Sequence, residues 1–486
     1  MKLAVLLAGL VSLGSITSAA AQEACTGVQA TYEVRRVSAD EFSVDARFSN
    51  PVSRLDLYFF PVEGRPQGQA DSIRDLRAFG QSGRRVDFNY VGEAAWEASA
   101  GASVSRVTYR VRADHDQVDW GQGGPGKDEV ATRFDRTYFF VGHAFFLTDF
   151  SMPRCPIEVR FDLPRNWRVT TPWPMVGNVA TAAGPTNLAQ NAFALGEDIA
   201  QTSTRGGFEV EWLIDSAVAP AGPRIGALME ALPPVYTEFW GRAPLGQLTT
   251  FYFADAMSDG GAFENSFAMR LATPLSPADE ITWSHTLGHE MMHLWLGAGA
   301  IQGPSNEEIA WFTEGFADYL TIKLMRRTGL IDQERLAQRI AGVLRRYELA
   351  RRFSPEVSLS EAGADKLQNW ELIYGGGALA ALLLDAELSA RDPHAFRDMM
   401  RAVYGEATQQ YDQARLLRVM DASSAGAASE VYGFVNGRSS FAEIRARLAR
   451  AGIDVAHFAS DEAYVVFGAC GEADCAPPFL AGPPPR

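Results

Sequence analysis

His289-Glu290-Met291-Met292-His293, set inside the run Ser276–Leu296, is the stretch on which the reading of this chain turns. Ser276-Pro277-Ala278-Asp279 has the form of a helix start, with Ser as the cap, Pro in the first turn and Asp three residues on. Helical pattern continues to Leu296, and Gly297 supplies a stop. Four residues are slightly more than one turn, so His289 and His293 project from one face and can share one ion. Glu290 stands beside them, placed to take a proton from water.

Two imidazoles are not enough, because a catalytic zinc takes three protein ligands and keeps one position open. Ser305-Asn306-Glu307-Glu308 reads as a second capped helix start, opening the run Ile309-Ala-Trp-Phe-Thr-Glu314-Gly-Phe-Ala-Asp318-Tyr319. Glu314 follows His293 by 21 residues, and a turn at Gly297–Pro304 can bring the second helix back beside the first. The competing reading of Glu314 is a solvated helix acid, against which its neighbours Phe312, Gly315 and Phe316 argue. Asp318, one turn on, can accept a hydrogen bond from the second nitrogen of a ligating histidine. His285 shares the stripe of His289, but histidines at i, i+4 and i+8 spread over about 12 Å, too far for one ion. It stays outside the ligand set. His115, His143, His394 and His457 have no companion at ligand spacing.

Around this core the chain has 486 residues, 47% hydrophobic and 21% charged, which excludes wholesale disorder. With 44 Lys+Arg against 59 Asp+Glu, the formal charge is −15, the wrong sign for a nucleic-acid binder. Lys2, apolar Leu3 to Ile16 and Ala19-Ala20-Ala21 have the form of a signal peptide, and Leu3 to Ile16 is too short to span a bilayer. The chain is therefore expected to be exported, periplasmic or secreted, with no membrane span. In an oxidising compartment Cys25, Cys155, Cys470 and Cys475 allow three pairings. Cys470–Cys475 with Cys25–Cys155 is the expected one, free buried thiols the alternative.

Segments such as Thr31–Val34, Arg106–Val111 and Ile157–Phe161 alternate apolar and polar residues, as half-buried strands do. From Pro223 helical runs take over, broken by an expected strand at Leu248–Phe253 and by Gly-rich Asp259-Gly-Gly261. The expected architecture is α+β and multidomain: a signal peptide at 1–21, an antiparallel β domain at 22–214, a catalytic lobe at 215–345, a helical lobe at 346–458 and a tail at 459–486. The Pro-rich end of that tail is expected to be disordered.

Residues 259–388 resemble the gluzincin metallopeptidases, in the branch that holds aminopeptidase N and the glycyl aminopeptidases. His289-Glu-Met-Met-His293-Leu-Trp295 is similar to the zinc helix of that group, and Trp311–Tyr319 to the helix bringing the ligand Glu. Gly261-Ala-Phe-Glu264-Asn265 resembles the GxMEN exopeptidase motif, and Tyr374-Gly-Gly-Gly-Ala378 to Asp385 the tract bearing a catalytic tyrosine. Phe263 departs from the usual Met and Gly376 from the usual Lys of Tyr-x-Lys-Gly. Pro156–Trp167 and Phe434–Ile453 are similar to the glycyl aminopeptidase branch; the PDZ domain that branch often carries is not expected after residue 455.

The resemblance implies a thermolysin-like zinc lobe after the β domain and one Zn²⁺ per chain on His289, His293 and Glu314. It implies Glu290 as general base and Tyr374 as the donor to the oxyanion. Glu264 would bind the α-amine of a peptide substrate, with Gly261 and Ala262 beside it, and small N-terminal residues would be preferred. Two other readings stay open: a zinc endopeptidase that ignores the amine, and a non-catalytic peptide-binding protein on the same frame.

Overall fold

The computed structural model describes residues 25, 27–59, 66–113, 131–134, 136–244, 246–256, 258–297, 307–406, 411–437, 439–457, 463–466 and 476–481. The signal peptide, Cys470, Cys475, His115 and the Pro-rich end lie outside them. The described residues fall into two compact units, within Glu23–Leu294 and within Trp295–Arg486.

In the first unit, alternation decides which face each strand buries. Ala30–Arg36 turns Ala30, Tyr32 and Val34 inward, and Glu41–Val52 does the same with Phe42, Val44, Ala46 and Phe48. These strands sit centrally in an eight-stranded sheet. Its pairs are antiparallel except that Ala30–Arg36 runs parallel to Ile157–Asp162, Ala30 facing Ile157. The inward side chains join Phe145, Phe146, Trp173 and Phe193 in one aromatic-rich core. Tyr32 stays satisfied there by donating its hydroxyl to the Leu147 carbonyl at 2.8 Å. Cys25 and Cys155 are disulfide-bonded, tying the start of this region to the loop before Ile157, as expected from the sequence.

A five-stranded sheet follows, in the order Gln201–Arg205, Phe208–Ile214, Gln247–Asp255, Ser266–Ala272, Asp259–Ala262. Its three inner strands are parallel, with Gly222–Trp240 as the crossover helix between two of them. Gly241 ends that helix in the left-handed region, φ 86°, its N–H returning to Thr237. Both edge strands, Gln201–Arg205 and Asp259–Ala262, are antiparallel to their neighbours. Buried Arg270 holds the latter, with guanidinium contacts of 3.3 Å to Asp255 and 2.6 Å to Asp259.

The histidine helix, Pro277–Met292, packs on this sheet. Ser276 caps it by accepting the Asp279 N–H at 3.1 Å, as expected. It ends at Met292 rather than Leu296, with His293 as C-cap, because the last turn tightens onto Glu290 and Met291 carbonyls.

The second unit is helical. The Glu314 helix, Ala310–Arg327, begins later than the sequence suggests. Ser305 and Asn306 lie outside the described residues, and Ile309 takes the N-cap position with no side-chain bond. Gln333–Phe353 and Gly377–Ser389 follow, with shorter helices to Arg450. Among the described residues, Leu372–Ser389 is the one helical stretch long and apolar enough to cross a membrane, and 89% of it is buried in this unit. A helix apolar all round is what a packed core requires. It meets the Glu314 helix at glycine: a Cβ on Gly315 would lie 2.4 Å from Gly377 Cα.

Candidate metal centre

His289, Glu290 and His293 are all buried on the histidine helix. The two imidazole rings stand at right angles, their centroids 4.6 Å apart, as i, i+4 spacing on one face demands. Glu314 lies on the first turns of its own helix with its side chain 12% exposed. Nitrogens of His289 and His293 and a carboxylate oxygen of Glu314 all lie within 4.8 Å of one another. Among the described residues this is the one such group, and His285 is not in it. Two imidazoles and a carboxylate, buried and converging, fit a zinc ion with one position left open.

Glu290 is approached by the edge strand. A Cβ on Gly260 would lie 2.9 Å from Glu290 Cγ and 3.1 Å from its Oε1, so only glycine admits this contact. Gly261 and Ala262 continue the strand, both half-buried. Beyond them Glu264 donates its backbone N–H to Gln190 O at 2.9 Å. Its carboxylate accepts from Asn187 Nδ2 at 3.1 Å and meets the exposed Arg154 guanidinium at 3.4 Å. Asn265 is held by Asn191, whose Oδ1 accepts its N–H at 2.8 Å. Phe263 packs edge-on to His143, a buried ring whose pKa desolvation pushes down to about 3.

Tyr374 occupies a π-helical turn, Leu372–Gly376, a local distortion frequent at functional sites. Three glycines follow it for a packing reason. A Cβ would lie 2.5 Å from Arg346 Cβ at Gly375, 2.8 Å from Leu359 Cδ2 at Gly376, and 1.9 Å from the Trp311 carbonyl at Gly377. A lysine at the Gly376 position, as in the related motif, would have to displace buried Leu359 and Leu372.

The cations near Tyr374 come from elsewhere in the chain. Arg346 Cζ lies 5.7 Å from the ring centroid, and Lys366 Nζ lies 5.9 Å from it. Arg346 also faces Asp318 at 3.6 Å. Trp370 stacks on Tyr374 with centroids 4.3 Å apart. Lys366 donates to Glu314 Oε1 at 2.6 Å. Sequence reasoning missed Lys366 and Trp370. Their spacing of eight and four residues before Tyr374, one helical stripe, was the available signal.

Residues 31–192 match the family model of the Peptidase M61 N-terminal domain, and residues 282–375 match that of M61 glycyl aminopeptidase. Comparison with curated proteins finds no match. Among solved structures, the aminopeptidase N family protein from Idiomarina loihiensis is similar at 17% identity with a TM-score of 0.73, over 88% of this chain and 79% of that one. An M1 zinc metallopeptidase from Deinococcus radiodurans gives 0.54 at 17% identity, over 85% and 94% of the two chains. That enzyme is also known as a mutant bound to a Tyr-Ser-Ala substrate. Likeness at these identities speaks to the fold, which is the mixed sheet-and-helix fold of these peptidases. The two family models, both of M61 and together matching more than half of the chain, agree with the His-His-Glu group, and the chain belongs to the M61 glycyl aminopeptidase family of zinc metallopeptidases.

Proposed function

We propose that the protein is an exported zinc aminopeptidase that removes small N-terminal residues from peptides. The observation that carries this reading is the convergence of His289, His293 and Glu314 with Glu290 beside the histidines. Zinc held by those three side chains supplies a Lewis acid for the scissile carbonyl and makes water more acidic. Glu290 takes the proton of the attacking water and later delivers it to the leaving amine, so one carboxylate serves as base and then acid. Tyr374 donates a hydrogen bond to the carbonyl oxygen as that atom gains charge. The edge strand Asp259–Ala262 offers backbone groups to an extended peptide, and Glu264 pairs with its α-ammonium. Export is supported by the apolar Leu3–Ile16 leader and the Cys25–Cys155 disulfide.

One observation favours a second reading, a zinc endopeptidase. The Glu264 carboxylate is already engaged by Asn187 and Arg154, as a carboxylate bracing a loop would be. The zinc chemistry is tested by metal content and turnover of wild type, Glu290→Gln and Glu314→Ala on an alanyl reporter. Glu290→Gln should keep one zinc and lose roughly a hundred- to ten-thousand-fold in kcat, since the amide cannot take the proton. Glu314→Ala should lose the metal. Near-normal kcat in the first variant, or one tight zinc in the second, overturns the assignment.

A further inference from the structure

Lys366 is a half-exposed lysine, yet its ammonium does not sit in open solvent. It donates to Glu314 Oε1 at 2.6 Å, while its Nζ lies 5.7 Å from the Trp370 ring centroid and 5.9 Å from that of Tyr374. Both distances are within the range of cation–π attraction. Trp370 in turn stacks on Tyr374. One ammonium therefore pairs with the carboxylate proposed as a metal ligand and lies within cation–π range of two rings, one of them the tyrosine proposed to act on the substrate.

The segment carrying Lys366 is held from several sides. A Cβ on Gly363 would lie 2.0 Å from the Glu307 carbonyl, so this turn is seated against the approach to the Glu314 helix. Ser358 and Glu361 form a capping box at its start. Buried Asn369 donates to the carbonyls of Asp365 at 3.1 Å and Ala362 at 3.4 Å. An exposed lysine on a loose loop loses side-chain entropy in forming an ion pair and gains little from it. Here the backbone is already fixed, and the acceptor is a carboxylate only 12% exposed.

We propose that Lys366 is a positioning residue of the metal centre: it sets the plane in which Glu314 presents its carboxylate, and through Trp370 keeps Tyr374 in register with that ligand. The inference rests on the reading of Glu314 as a zinc ligand. Partners that orient a ligand typically change metal affinity by about 10–100-fold when removed.

The test measures zinc affinity by competition with a chelator on wild type, Lys366→Met and Lys366→Arg, alongside the unfolding midpoint of each metal-free protein. Lys366→Met should bind zinc about 10–100-fold more weakly, with the metal-free midpoint unchanged. Lys366→Arg should recover most of the affinity. On a peptide reporter at saturating zinc, Lys366→Met should lower kcat more than it raises KM, because Tyr374 loses its register. Wild-type zinc affinity in Lys366→Met overturns the proposal. A drop in the metal-free midpoint that Arg does not restore also overturns it, by making Lys366 a structural residue. Wild-type protein that binds no zinc, or Glu314→Ala that keeps it, would refute the underlying ligand reading instead.

Discussion

Gly260 and Glu290 lie so close that a Cβ on the glycine would meet the glutamate side chain at 2.9 Å, and Met269 Sδ at 2.8 Å. The edge strand thus lies directly against the proposed general base, and the missing side chain sets where its carboxylate stands. Gly260→Ala is expected to displace Glu290 rather than unfold the sheet, since the crowded atoms belong to flexible side chains. A shift of about 1 Å at a catalytic group can cost on the order of 100-fold in rate. Turnover of the variant should fall by about that factor while its unfolding midpoint stays within a few degrees of wild type. Unchanged turnover would mean that Glu290 can move aside without consequence.

Gly377 gives the opposite kind of outcome. Its added Cβ would meet the Trp311 carbonyl at 1.9 Å and Gly315 Cα at 3.0 Å, both backbone, so no rotamer change can relieve the clash. Forced overpacking costs typically 1–3 kcal/mol and sometimes more, and a backbone contact belongs at the upper end. Gly377→Ala should lower unfolding free energy by about 3 kcal/mol or more in denaturant titration. A loss below about 1 kcal/mol would show that the two helices have slack between them.

His143 makes stability depend on pH. Burial against Tyr58 and Phe263 pushes its pKa down to about 3. The unfolded chain binds this proton near pH 6.5 and the folded chain does not. Folding is therefore unaffected above about 6.5 and weakened as pH falls toward 3, by up to about 1.4 kcal/mol per pH unit. His143→Phe removes the effect while keeping an aromatic ring in the site. Between pH 7 and pH 5, wild type should lose about 2 kcal/mol more than the variant. Parallel curves would mean that the imidazole takes up its proton without cost.

What the sequence could disclose was set by how local each signal is. The cap at Ser276 and the His289–His293 spacing are consequences of one helical period, and both stand in the structure. The strands at Thr31–Val34, Arg106–Val111 and Ile157–Phe161 were readable for the same reason, since alternation is a property of each strand alone. Pairing is not. The parallel match of Ala30 with Ile157 joins residues far apart, and no periodicity within either strand encodes it. The glycines after Tyr374 read as a departure from a motif, and only the backbone of Trp311 and the side chains of Arg346 and Leu359 explain them. That Lys366 reaches Glu314, and that Asn187 and Arg154 reach Glu264, is hidden for the same cause. Each is brought in by tertiary contact.

Glu264 separates an aminopeptidase from an endopeptidase. As an amine anchor it must pair with the substrate ammonium in both ground and transition states, while Asn187 keeps its carboxylate oriented. The exposed Arg154, at 3.4 Å, would then give way to the ammonium, a modest cost for a solvated guanidinium. Glu264→Ala should weaken kcat/KM for free-amine substrates by ~2–4 kcal/mol, the loss expected when one member of a buried charge pair is left alone. Part of it should fall in kcat, because the amine also positions the scissile bond. Slow cleavage of N-acetylated peptides should barely change. The measurement is kcat/KM on one dipeptide reporter, free and acetylated, for wild type and variant. If Glu264 instead braces the loop through Asn187 and Arg154, both substrates lose equally and the unfolding midpoint falls with them. If neither substrate is affected, the zinc chemistry stands and the amine anchor must be sought elsewhere on the edge strand.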